Sequence, residues 1–263
     1  MTDRAVSIAG LQTLGAGLAL EVAREADELG YAALWVAEAN AAEGMSLLGA
    51  VSQAAPHIAL GTGVLALQLR TPPLHAMAAA TLQQLAGNRD VFLGVGISSP
   101  AVAALNKQML RLGGELADVV LLNYLPSSLV PWCVARVREG GGARVHAYVH
   151  CAVTERDRYA DLARKDLLNY AVVPAYATQF ARAGFVDEVQ HFQNRWAARD
   201  RDGALAAISD EWVDAIQIMG DEQHVRDAVQ AYADHGVDVP IVFAIPWGED
   251  RRETVSRTLR ALA

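Results

Sequence analysis

Short apolar runs alternate with amphipathic stretches along almost the whole of this 263-residue chain, and that alternation narrows the fold more than any other feature. Residues 6–10, 33–37, 58–69, 91–97, 119–123, 145–152 and 240–245 read as strands. Between them, 18–29, 45–54, 75–85 and 107–116 carry apolar side chains at helical spacing. In the first of these helices Leu18, Leu20, Val22, Ala23, Ala26 and Leu29 form the apolar stripe, and Gly30 supplies the stop. Strand–helix alternation of this kind calls for a parallel sheet with helices outside it. Residues 33–37 are apolar without a break, as in a strand covered on both faces. Residues 154–235 read as a long helical, charge-rich block without a strand. No repeat, low-complexity tract or linker interrupts the chain, so a single domain over 1–263 is expected.

Seven strands fit a (βα)₈ barrel that is one strand short. The alternative is an open doubly wound sheet, which usually carries a Gly-rich phosphate turn after its first strand. Here Ala9-Gly-Leu-Gln-Thr-Leu-Gly-Ala-Gly17 does not form G-x-G-x-x-G, and the barrel is the better fit. Its third strand is unusual. Leu60-Gly-Thr-Gly-Val-Leu-Ala-Leu-Gln-Leu-Arg-Thr-Pro72 sets Gly61 and Gly63 inside an apolar run and then leaves through polar residues. A glycine in a strand marks a bulge or a close approach to the backbone, so this is either a strand that ends at a ligand or a core strand whose glycines serve packing.

Composition removes several functions. A net charge of −8 and a pI of about 5.3 argue against non-specific binding of nucleic acid or of an anionic membrane surface. The two cysteines, Cys133 and Cys151, make neither a metal spacing nor a disulfide framework. No apolar run approaches the roughly 18 residues that cross a bilayer, and Met1-Thr-Asp-Arg is not a signal peptide. A reducing, cytoplasmic setting is the expectation.

In a barrel, the residues just after each strand converge on one face, where active sites form. By position these are Gln12; Glu38, Asn40 and Glu43; Gln68 and Arg70; Ser98 and Ser99; Asn123, Ser127 and Ser128; His150; and Trp247. They contain no metal-ligand spacing and no G-x-S-x-G turn. Ser98-Ser-Pro100 fits an ordinary helix start as well as an anion site. His150 on an apolar strand fits a core histidine better than a catalyst. From residue types alone, the chain is an enzyme-like barrel for an extended, polar-edged ligand.

The sequence resembles the luciferase-like monooxygenase superfamily, in particular its coenzyme F420-dependent oxidoreductase branch. The resemblance is carried by Leu34-Trp-Val-Ala-Glu38, the stretch from Leu60 to Pro72, Phe92-Leu-Gly-Val-Gly-Ile-Ser-Ser-Pro100, Gly114-Glu-Leu-Ala-Asp-Val-Val-Leu-Leu-Asn123, Asn169-Tyr-Ala-Val-Val-Pro-Ala-Tyr176 and Gly236-Val-Asp. It implies a TIM barrel with a helical insertion between strands seven and eight. It implies a non-prolyl cis peptide, here Gly63–Val64, against the cofactor ring, with Ser98 and Ser99 beside the ring and Asn123 near the ribityl-phosphate tail. The implied reaction is hydride transfer between the deazaflavin C5 of F420 and a small organic substrate, in a homodimer. FMN is the alternative cofactor, in a monooxygenase or reductase; a non-catalytic cofactor-binding paralogue is a further alternative. Some relatives use a His after strand two and a Glu after strand four as acid–base groups. This chain has Ala39 and Ser99 there, so Glu38 and Asn40, with Glu43, are the local substitutes. Between Pro100 and Leu105 the chain joins strand four almost directly to the helix at 107–116, so the region of strand five is shortened or missing.

Overall fold

The computed structural model describes residues 4–38, 42–96 and 107–263. The strands are β1 (Ala5–Ser7), β2 (Ala33–Val36), β3 (Ala59–Thr62), β4 (Leu65–Ala66), β5 (Val91–Phe92), β6 (Val95–Gly96), β7 (Val119–Leu122), β8 (Arg144–Val153), β9 (Gln217–Gly220) and β10 (Val239–Ala244). By contacts the chain divides into two compact units: Met1–Ser98 with Cys151–Val153 and Ile241–Ala263, and Ser99–His150 with Thr154–Pro240.

In the first unit the strands run in the order β5-β3-β2-β1-β10, all parallel. Register places Val6 beside Leu34 and Val242, and Leu34 beside Leu60. β2 is buried at all four residues, as its unbroken apolar sequence requires. Helices Ala16–Glu28, Gly44–Ala54 and Pro72–Ala86 each come after a strand, and Arg251–Leu262 closes the chain. Glu25 ties the first helix to the last, accepting from Ser256, Arg252 (2.7 Å) and Arg260 (3.3 Å). Gly61 is explained by packing: a Cβ there would stand 2.7 Å from Trp35 Cε3, and Trp35 stacks on Phe92 at 5.5 Å.

The stretch 58–69 is not one strand, nor is 91–97. β3 stops at Thr62, two residues intervene, and β4 is followed by the single turn Leu67–Leu69. β5 likewise breaks at Leu93 and Gly94 before β6, which pairs with β4. The two breaks are fastened together. Thr62 Oγ1 donates to Gly94 O and accepts from Gly94 N, each at 2.9 Å, and Leu65 N donates to Gly94 O at 2.9 Å. A Cβ on Gly94 would run into the Thr62 carbonyl oxygen, which is why glycine stands there.

In the second unit β7 pairs with β8 in parallel, Val119 opposite Arg144, and β9 pairs with β8. β8 is buried at nine of its ten residues, consistent with its apolar sequence. Helix Lys107–Leu116 lies against Val130–Gly140 through Gly114 and Gly140, whose Cβ positions are taken by the carbonyl oxygens of Val137 and Arg111. The block 154–235 holds helices Arg156–Ala171, Pro174–Arg182, Val186–Ala197, Arg201–Ala206, Asp210–Ile216 and Glu222–Asp234. It also contains the strand β9, which corrects the strand-free reading of that block. Trp212, Val213 and Ile216 keep helical spacing up to its edge, and Gln217-Ile-Met-Gly is too short to show a period of two.

Candidate functional site

Two groups of polar residues gather at strand ends, one in each unit. In the first unit Glu38 comes after β2, Glu43 precedes helix Gly44–Ala54, and Arg70 comes after the turn that ends β4. Arg70 grips Glu38 with both terminal nitrogens, Nη1 on Oε2 and Nη2 on Oε1 (2.6 Å), and Nη2 also meets Glu43. Glu38 is 7% exposed and accepts a third bond, from Gly44 N at 3.2 Å. Glu43 caps the same helix by accepting from Met45 N and Ser46 N. The Arg70 guanidinium holds the Glu38 carboxyl below the usual carboxylate range, outweighing the upward push of burial. Glu38 is therefore a fixed anion at neutral pH, with no proton to give as a general acid.

Beside this cluster the Gly63–Val64 peptide is cis. Gly63 N donates to Val36 O at 2.8 Å, and Val64 O accepts from Glu38 N at 3.1 Å, so the break in strand three is bonded to the end of β2. Val64 is half-buried. It is backed by glycines: a Cβ on Gly96 would stand 2.8 Å from Val64 Cγ2, and Gly94 lies 3.6 Å from Val64 Cγ1 by the same construction. The result is a shelf of apolar side chain and backbone at a strand end, bordered by an ionised, immobilised carboxylate.

In the second unit Asn123 comes directly after β7, and its Oδ1 lies 2.8 Å from Nε2 of His150, on β8. His150 is the buried core histidine that its position suggests; burial pushes its pKa down to about 3. Tyr124, at φ 51°, is in the left-handed region, which bulky side chains seldom enter. Its ring stacks on Tyr170 at 3.6 Å and its hydroxyl donates to Asp166 Oδ2 at 2.7 Å.

Asn40, Ser98 and Ser99 lie outside the described residues, as does the side chain of Gln68. Gln12 is used structurally, donating to Ala37 O at 2.5 Å. Ser127 and Ser128 open a short turn without a side-chain cap. Sequence reading passed over Asp166 and Gln179, which sit on helices far from any strand end in sequence, and gave Tyr170 no site role although it lies in the stretch from Asn169 to Tyr176. It also passed over His75, which is 5% exposed with both ring nitrogens unpartnered among the described residues. A histidine in the first turn of an apolar helix gave the one available signal for that position. Among the described residues no three His, Cys, Asp or Glu side chains are grouped to hold a metal ion, and no helix is long and apolar enough to cross a membrane.

The luciferase-like monooxygenase family model matches residues 8–104 and 100–239. The chain belongs to that family. The two matched stretches overlap at residues 100–104. One relative is a Mycobacterium tuberculosis protein provisionally named as a coenzyme F420-dependent oxidoreductase, 37% identical over 82 residues. That match spans 31% of this chain and 23% of the relative. Among solved structures, the fold is similar to that of the coenzyme F420-dependent tetrahydromethanopterin reductase of Methanopyrus kandleri. The TM-score is 0.74 at 15% identity, over 99% of this chain and 98% of that one. It is similar also to an F420-dependent secondary alcohol dehydrogenase solved with an F420–acetone adduct (TM-score 0.69, 13% identity, 100% and 99% covered). A third is the FMN-bound oxygenating constituent of 3,6-diketocamphane monooxygenase from Pseudomonas putida (TM-score 0.64, 12% identity, 100% and 98% covered). These likenesses give the fold: the α/β TIM-barrel class of luciferase-like proteins.

Proposed function

We propose that the chain is an F420-dependent oxidoreductase acting on a small organic substrate. The observation that carries this reading is the shelf at Gly63 and Val64, in a chain whose family includes F420-dependent members. A planar ring system suits such a surface: Val64 offers apolar contact to a ring face. Gly63 and Val64 are assigned to holding the cofactor, together with Ser98, Ser99 and Asn123. When bound, F420 supplies a hydride at C5 of its deazaflavin.

For such a reaction the protein's work is orientation and the exclusion of water. Glu38 is assigned a fixed electrostatic role, holding Arg70 and the Gly44–Ala54 helix start in place. Asn40 is the remaining candidate for hydrogen bonding to the reacting groups. A homodimer in a cytoplasmic setting belongs to the same reading.

The test is a fluorescence titration of the purified protein with F420, followed by reoxidation of reduced F420 against a panel of small carbonyl compounds and alkenes. Saturable binding and substrate-dependent reoxidation support the reading; absence of binding overturns it. The FMN-bound relative supports a second reading, an FMN-dependent monooxygenase or reductase. Co-purifying FMN with oxygen-dependent turnover would select it. Binding of F420 without turnover on any substrate would instead select a non-catalytic paralogue.

A further inference from the structure

Buried side chains from several elements converge on three successive residues at the end of β7. Gln179 Nε2 donates to the carbonyl oxygens of Asn123 (3.2 Å) and Tyr124. Tyr232 OH donates to Leu125 O at 2.7 Å. Tyr124 OH donates to Asp166 Oδ2 at 2.7 Å, and that oxygen also accepts from Gln217 Nε2 at 2.6 Å. Gln179, Asp166, Gln217 and Tyr232 come from helix Pro174–Arg182, helix Arg156–Ala171, β9 and helix Glu222–Asp234 respectively. Together they fix the left-handed Tyr124, a conformation that persists only where its surroundings over-determine it.

Asn123 is the half-buried member of this turn, while Tyr124, Leu125 and Pro126 are buried. Its Oδ1 can only accept, so His150 must donate from Nε2. The imidazole is neutral at ordinary pH, because burial holds it down. With the amide oxygen pinned, the Nδ2 edge points the other way. Among the described residues it has no protein partner. A turn secured by this many bonds, with one oriented and unspent donor at its first residue, is suited to a pre-organised contact with an acceptor.

We propose that His150 is a positioning residue: its Nε2–H holds Asn123 Oδ1, so that Asn123 Nδ2 is a fixed donor to an oxygen acceptor on the bound cofactor's polar chain. This rests on the reading that the chain binds F420. His150 does not itself touch the cofactor; it sets which edge of the Asn123 amide is presented.

The test is a double-variant cycle read by F420 fluorescence titration, with thermal unfolding of every variant alongside. Asn123→Ala is expected to weaken F420 binding about tenfold, and His150→Phe by a similar factor. The double variant is expected to be no weaker than either single one, because both remove the same contact. His150→Gln keeps an N–H donor at similar reach and is expected to restore most of the affinity. Asn123→Asp still accepts from His150 but presents an acceptor to an acceptor, and is expected to bind more weakly than Asn123→Ala.

If His150→Phe fails to fold, the order wild type, His150→Gln, Asn123→Ala, Asn123→Asp carries the test. Wild-type binding with His150→Phe unchanged, or with additive losses in the double variant, overturns the positioning role and leaves the cofactor reading intact. No F420 binding by the wild type overturns the cofactor reading itself, and the role of His150 with it.

Discussion

Arg70 and Glu38, separated by 32 residues in sequence, form a two-nitrogen, two-oxygen ion pair at the strand ends. Both side chains are nearly buried, at 10% and 7% exposure. A buried pair of this kind is costly to break from one side, because the survivor keeps its charge without a partner. Arg70→Met is therefore expected to destabilise the protein by about 3 kcal/mol, measured by urea unfolding. Replacing both residues, as in Arg70→Met with Glu38→Leu, should recover a substantial part of that loss. A single-variant cost below about 0.5 kcal/mol, the range of exposed pairs, would show that the two charges are solvated.

The same pair sets part of the acid response. Glu38 titrates lower in the folded chain than unfolded, so its contribution is present above the unfolded value and lost as pH falls through the folded one. Two histidines act earlier. Burial pushes His150 down to about 3 and His146 down to about 4. Below about pH 6.5 the unfolded chain takes up protons that the folded one refuses, so stability falls as pH drops through that window. Each histidine is worth up to about 1.4 kcal/mol per pH unit there. His150→Gln should reduce the slope between pH 6 and 4 by about one proton, measured by unfolding at a series of pH values. An unchanged slope would mean that His150 is protonated in the folded state.

Much of the fold was legible because it depends on local pattern. Lys107–Leu116 has the bounds its periodicity requires, and the apolar runs place β2, β7, β8 and β10 within about one residue, whereas the run 6–10 overshoots β1, which ends at Ser7. The double break at Gly63 and Gly94 was only half visible. Glycine content showed where the third strand yields, but the Thr62–Gly94 fastening joins residues 32 apart and leaves no periodic trace. Gly61 looked like a second ligand approach and is instead the space for Trp35. Glu38 and Arg70 were each recognisable as strand-end polar residues. Their pairing was not, because the register of β2 on β3 decides it. β9 was hidden by the helix that runs into it.

Glycine at 94 is expected to be irreplaceable. Gly94→Ala drives a Cβ into the Thr62 carbonyl, a backbone atom that cannot step aside. A loss of about 3 kcal/mol is expected, at the upper end of overpacking costs. Gly142→Ala meets nothing within 4 Å and should change stability by less than about 0.5 kcal/mol. Equal melting temperatures for the two variants would contradict the close approach of the two strand breaks.

His75 presents the opposite case. Its ring is buried with neither nitrogen bonded among the described residues, an arrangement that costs about 1–3 kcal/mol. His75→Leu, similar in size and without polar atoms, is expected to raise stability by about 1 kcal/mol. A loss of stability would show that the imidazole has a bonding partner in solution.

The most direct test of the proposed function is F420 fluorescence titrated against the purified chain, with FMN added as a competitor. Saturable change in F420 emission, not displaced by equimolar FMN and weakened in a variant at Val64, is the expected result. No change in F420 emission, with FMN bound in its place, would contradict it.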